Sequence, residues 1–200
     1  PASTAPGETV VNGMSPANRG SRWANSGMVV ELHPADIPAT GISVEHLESP
    51  LALMEWCEEL ERRCYAAAQQ SLRAPAQRMT DFMRGRLSTS LPSSSYSMGL
   101  TSSQLSDWMP SFLTERLKEG FRAFDRSTRG FLSEEAQLIA LESRTSSPVR
   151  IPRDKDYRHL TYEGLYPAGE GAGYAGGIVS AAIDGENAAT ALAAWLTSQG

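Results

Sequence analysis

The sequence predicts an α/β protein in two parts, and three observations carry that prediction. Two stretches repeat apolar residues at helical spacing: Leu53, Trp56, Cys57, Leu60 and Cys64, then Leu113, Leu117, Phe121 and Phe124. Short strand-like runs, bounded by glycine, proline and serine, lie on both sides of these helices. Near residue 136 the texture changes to brief apolar runs that close on a glycine-rich turn and a long helix of small residues. The expected division is therefore 1–136, an α+β part, and 137–200, a part built to lie on a sheet.

Taken in order, residues 10–12 and 28–32 are expected to form short strands of a small sheet. Pro34, Pro38, Gly41 and Pro50 make 33–50 a loop. The first helix is expected over 51–69. The stretch 84–104, rich in Ser, Gly and Leu, reads as a long loop before the second helix. Residues 138–142, 149–151 and 164–168 suit three further strands. On the final helix Ile178, Ala181, Ala182, Gly185, Ala188, Ala189 and Leu192 share one face. Side chains this small allow close approach to a sheet, yet few of the parallel strands that such a sheet needs are present in the sequence.

Composition narrows the function. The 200 residues carry a net charge of −5, with Lys and Arg scattered rather than striped, so no nucleic-acid partner is expected. No apolar run approaches the roughly 18 residues of a membrane span, so no membrane partner and a soluble protein are expected. The two cysteines, Cys57 and Cys64, fall on one helix about two turns and roughly 10 Å apart, too far for a disulfide. They read as small apolar residues of a buried stripe, in keeping with a reducing compartment.

Several patterns dissolve on inspection. Asp125-Arg126-Ser127-Thr128-Arg129-Gly130 resembles a calcium loop, but the position of its bidentate acid is Ala136. His33, His46 and His159 have no partners at metal-ligand spacing, so no metal is expected. There is no G-x-S-x-G elbow, and Ser93-Ser94-Ser95 suits a loop rather than a nucleophile. No catalytic acid or base can be assigned.

The informative stretch is GLYPAGEGAGYAGGIVSAAIDG, residues 164–185. Gly171 to Gly176 fits G-x-G-x-x-G, but an opening dinucleotide fingerprint needs a second strand and an acid about 20 residues later, and neither follows. A carboxylate, Glu170, set between glycines ahead of a bare helix N-terminus instead suits a polyol together with an electron-rich ring or a phosphate. A flavin dinucleotide has all three.

This stretch resembles the closing FAD motif of a family of largely uncharacterised FAD-dependent dehydrogenases, the NAD(P)/FAD-dependent oxidoreductases. VVNGMSPANRG, ANSGMVVEL, APAQRMTDF, SSSYSMGL, FDRSTRGFLSEEA and ESRTSSPVRIPRD are similar to that family in the family's order, across nearly the whole chain. The resemblance implies the C-terminal part of a two-domain, Rossmann-type flavoprotein. Its 1–136 would be an inserted α+β domain on the substrate side, and its 137–200 the return into the FAD domain. The family's N-terminal Rossmann unit and its Cys-Pro-Gly-Gly motif would precede this sequence and serve as its partner.

By the same resemblance, Gly169, Glu170, Gly171, Gly173, Tyr174, Gly176, Gly177 and Ile178 would hold FAD. Glu170 would bind the sugar-alcohol or pyrophosphate side, and the Gly176–Ile178 backbone would face the pyrimidine edge of the ring. Tyr174 would flank that ring. Arg144, Ser146, Ser147 and Arg150 would lie near the cleft, where an arginine could grip an anionic small-molecule substrate. NAD(P)H is the expected electron donor. Two other readings remain open at this point: a flavoprotein-like binding module without turnover, and an RNA-modifying flavoprotein, which the lack of a basic surface disfavours.

Overall fold

The computed structural model describes residues 5–13 and 18–199; residues 14–17, within the VVNGMSPANRG segment, lie outside the described residues, as do 1–4 and 200. The chain is mixed α and β and divides into two compact units, Pro1–Leu47 with Glu55–Ser143, and Glu48–Met54 with Arg144–Gly200.

The first unit is organised by a three-stranded sheet in the order β2-β1-β3. The central β1 (Ala74–Arg78) pairs in parallel with β2 (Leu100–Ser102) and antiparallel with β3 (Gln137–Ile139). A proline, Pro75, sits in this middle strand, where a missing donor would normally break a ladder. The antiparallel register begins one residue later, at Ala76 opposite Ile139, and Pro75 contributes only its carbonyl, which accepts from the Ala140 N–H at 2.9 Å. The missing N–H therefore costs the sheet little.

Three helices precede or follow the strands: α1 (Ala52–Ala67), the short α2 (Met79–Arg84), which packs on β1, and α3 (Ser111–Ser127). The stripe anticipated on α1 is real, since Trp56, Cys57, Leu60 and Cys64 are all buried. Neither cysteine forms a disulfide, and burial pushes the Cys64 thiol up to about 12. Leu113 and Phe121 of α3 are buried, while Phe124 stays half exposed against Phe131, with ring centroids 5.4 Å apart. Phe121 meets Phe82 of α2 edge-on at 6.0 Å, which is the favoured geometry for aromatic pairs.

A buried amide ties this core together. Gln77 of β1 has no exposed surface; its Nε2 donates to the Arg86 carbonyl at 2.7 Å and its Oε1 accepts from the Leu105 N–H at 3.0 Å. Gln77→Leu would keep the volume but orphan both backbone groups. The expected cost is about 2 kcal/mol, read from the midpoint of urea unfolding.

Several expected strands are absent. Residues 10–12 form no strand; Val10 and Val11 are buried, but the hydrogen bonds are single: Thr9 N–H to the Glu61 carbonyl and Val11 N–H to the Leu141 carbonyl. That is a tether rather than a ladder. Residues 28–32 are irregular, with Val29 66% exposed, so β-branched composition there has no packed surface behind it. Residues 33–50 are not wholly loop, because Pro34–Thr40 forms a 3-10 helix closed by Gly41 at φ 69°. The run 138–142 is a strand only as far as Ile139. Since β3 belongs to the first sheet, the compact units part between Ser143 and Arg144 rather than near 136. The calcium-like loop is a helix exit, in which the Asp125 carboxylate accepts from the N–H groups of Gly130 and Leu132.

The second unit contains α4 (Ile178–Gln199) and a long irregular stretch before it. Neither 149–151 nor 164–168 is a strand. Their hydrogen bonds go to turns, with Ile151 N–H donating to the Ala172 carbonyl and Leu165 accepting from the His159 N–H. On α4, Ala188 is buried and Ala181, Gly185 and Leu192 are half-buried, but Ala182 and Ala189 are exposed and Ile178 is 89% exposed. The covered face is thus narrower than the sequence suggests. No described helix is long and apolar enough to cross a membrane.

Candidate functional site

The second unit brings two segments, RTSSPVR and the glycine-rich run, into contact. The run turns at Gly169 and Gly173, whose φ angles of 73° and 81° lie in the left-handed region that favours glycine. The turn is closed by Gly173 N–H to the Glu170 carbonyl at 2.9 Å and Tyr174 N–H to the Gly169 carbonyl at 3.0 Å. Gly173 is also needed for space, since a Cβ there would lie 2.6 Å from the Val149 carbonyl oxygen. Ser147 reinforces the junction by donating its hydroxyl to the carbonyls of Val149 (2.9 Å) and Gly171 (3.4 Å).

A part-buried ion pair fixes the turn to the helix. Arg153 forks onto both carboxylate oxygens of Asp184, at 2.9 and 2.6 Å, and also donates to the Pro167 carbonyl at 2.7 Å. Asp184 in turn accepts from the Gly169 N–H at 2.8 Å. The two side chains are only 10% and 13% exposed. The hydrogen bond from Arg153, then that from Gly169, holds the Asp184 carboxyl below its usual range, and the same pair raises Arg153. Tyr174 is pinned as well: its hydroxyl donates to the Ile151 carbonyl and accepts from the Arg153 N–H. Its ring is stacked by the Arg153 and Arg150 guanidiniums, at 3.6 and 4.4 Å from the centroid.

What this scaffold leaves open is as informative as what it fixes. A Cβ at Gly171 or Gly176 would meet nothing within 4 Å, and at Gly177 only the Ser180 hydroxyl oxygen at 3.7 Å; none of the three needs a positive φ. Nothing among the described residues requires glycine at these exposed positions. The first hydrogen bond of α4 runs from Ala181 N–H to the Gly177 carbonyl, so the N–H groups of Ile178, Val179 and Ser180 precede the helix's own acceptors. Glu170 is exposed, and its carboxylate makes no hydrogen bond or ion pair among the described residues. A carboxylate and bare backbone donors on one surface suit a ligand carrying hydroxyls at one end and acceptors at the other.

The expected site residues separate by role. Gly169, Gly173, Ser147 and Tyr174 are engaged in building the turn, while Glu170, Gly171, Gly176, Gly177 and Ile178 face outward. Arg144 and Ser146 are exposed, and Arg150 lies over Tyr174. Sequence reasoning did not single out Arg153, Asp184, Lys155 or Tyr157. For Asp184 a signal existed: it is an acid on the small-residue face of α4, between Ala181 and Ala188. Among the described residues, no three His, Cys, Asp or Glu side chains gather as a metal group would require.

The chain is 39% identical over 186 residues to an uncharacterised protein of Clostridium beijerinckii (strain ATCC 51743 / NCIMB 8052), a match that covers 92% of this chain and 33% of that protein. The chain thus spans about a third of the length of the curated relative it matches. A family model described as "FAD-dependent protein, C-terminal domain-like" matches residues 1–145, well over half of the sequence, and the chain belongs to that family.

Proposed function

We propose that this chain is the C-terminal portion of an FAD-dependent oxidoreductase, in which Glu170 and the outward backbone of Gly171 and Gly176–Ile178 form one wall of the flavin site. The observation that supports this most is the set of three exposed glycines that neither backbone conformation nor packing among the described residues requires. A side chain at those positions would hold a large planar ligand away from the main-chain donors. Bound FAD would supply hydride or electron transfer. The chain's own residues would position and polarise: Glu170 would accept from sugar-alcohol hydroxyls, and the α4 N-terminus would favour negative charge on the nearby ring edge. A Rossmann unit elsewhere in the same polypeptide would hold the adenosine half. Residues 1–136 would face a small-molecule substrate, and NAD(P)H would serve as donor.

The test is the visible spectrum of the longer polypeptide containing this chain, beside its Glu170→Ala variant. Flavin bands are expected in the parent, with FAD affinity roughly tenfold or more weaker in the variant, as for loss of a charged acceptor. This chain alone is expected to take up FAD poorly. A colourless parent that fails to bind added FAD would overturn the reading. Bleaching of the bands by a nicotinamide donor would separate an enzyme from a binder without turnover.

A further inference from the structure

Beside the glycine turn, the second unit holds a cavity of about 610 Å³ that includes Arg150, Arg153, Lys155, Tyr157 and Tyr174 in its lining. Its charges are not equivalent. Arg153 is neutralised by Asp184, and its fork is occupied. Asp154, which also lines the cavity, turns Oδ1 onto the N–H groups of Asp156 (2.8 Å) and Arg158 (3.0 Å). Arg150 and Lys155, by contrast, form no ion pair among the described residues. Asp154 remains a carboxylate in the lining, and the two cations Arg150 and Lys155 outnumber it there.

Arg150 is also oriented in advance. Its guanidinium lies 4.4 Å from the Tyr174 centroid, and Tyr174 cannot swing because its hydroxyl is held at both Ile151 and Arg153. Stacking restrains the guanidinium plane while its edge donors remain without a carboxylate acceptor, which is the arrangement that grips a phosphate through two parallel hydrogen bonds. Fixing the donor beforehand reduces the ordering cost of binding. On the same loop, Tyr157 holds φ at 66°, an uncommon conformation for a bulky side chain, with its ring stacked on Arg153 at 4.3 Å. Strain of this kind, retained in a cavity wall, is a frequent mark of a ligand site.

We propose that this cavity binds a phosphate group, with Arg150 as the bidentate donor and Lys155 as the second cation. The phosphate could belong to a dinucleotide cofactor or to a separate phosphorylated substrate. Recognition is the same in both cases, and it does not depend on the flavin reading.

The experiment is a calorimetric titration of the protein with inorganic pyrophosphate, repeated on Arg150→Gln, Lys155→Gln and, as a control in the first unit, Arg129→Gln. Saturable binding is expected, weakened roughly tenfold by Arg150→Gln, several-fold by Lys155→Gln and not by Arg129→Gln. Circular dichroism melting would verify that each variant folds, and the exposed Lys155 provides the substitution least able to disturb the turn. Absence of saturable binding, or equal weakening by all three substitutions, would overturn the proposal. Competition then identifies the source. Displacement of FAD by pyrophosphate marks the cofactor's own phosphate, and binding without displacement marks a separate phosphorylated ligand. A longer polypeptide containing this chain that takes up pyrophosphate but no FAD would keep this proposal and remove the flavin reading.

Discussion

Asp184→Ala is expected to destabilise the second unit by about 2 to 3 kcal/mol, because it leaves the part-buried Arg153 guanidinium without its carboxylate partner. The loss exceeds that of a surface ion pair for a structural reason. Asp184 receives three hydrogen bonds, two from Arg153 and one from the Gly169 N–H, and so joins α4, the glycine turn and the stretch around Pro167. Hydrogen exchange at residues 169–174 and along α4 should rise in the variant. Arg153→Ala should cost a similar amount, and the double variant far less than the sum, since both substitutions remove the same interaction. Additive losses would show that the pair does not act as a unit.

The pair also sets an acid limit. Asp184 titrates below its ordinary 3.8 in the folded protein, with the hydrogen bond from Arg153 as the first cause. A depressed carboxyl stabilises the fold fully above its unfolded value, and that contribution disappears as pH falls through the folded value. Lower protection factors at residues 169–174, with exchange corrected for its intrinsic pH dependence, are therefore expected only below about pH 4, and unchanged protection between pH 5 and 8. Asp184→Asn should flatten that dependence.

The second large effect separates glycines that look alike in the sequence. Gly173→Ala should cost about 3 kcal/mol, from the left-handed backbone and from a Cβ set 2.6 Å from the Val149 oxygen. Gly176→Ala meets open space and should change the melting temperature little. In the longer polypeptide it should nonetheless weaken FAD, because the methyl group would stand between ligand and backbone. Equal stability losses at the two positions would contradict the geometry. An unaltered FAD affinity for Gly176→Ala would count against the proposed wall.

Helices were legible in the sequence and strands largely were not. The stripes on α1 and α3 repeat over several turns, so periodicity alone locates them to within a few residues. The strand β1, by contrast, reads Ala-Pro-Ala-Gln-Arg. It carries a proline and two polar residues, and only tertiary partners make it a strand: Gln77 is buried because Arg86 and Leu105 satisfy its amide. Conversely, Val149-Arg150-Ile151 has strand composition but spends its backbone on the glycine turn. Within the candidate site, the glycine-rich run was visible by its spacing. The Arg153–Asp184 pair was not, because its partners are separated by a turn whose geometry the sequence does not display.

The buried thiols of α1 have a practical consequence. Cys57 and Cys64 are the only cysteines in the chain, both are shielded, and Cys64 is kept protonated at any ordinary pH. An alkylating reagent can therefore act only when α1 breathes away from its packing, so the rate of mass labelling becomes a built-in clock for opening of the first unit. That clock is blind to the second unit, which contains no sulfhydryl. Labelling and amide exchange together would time the two units independently, without a tag or an added probe.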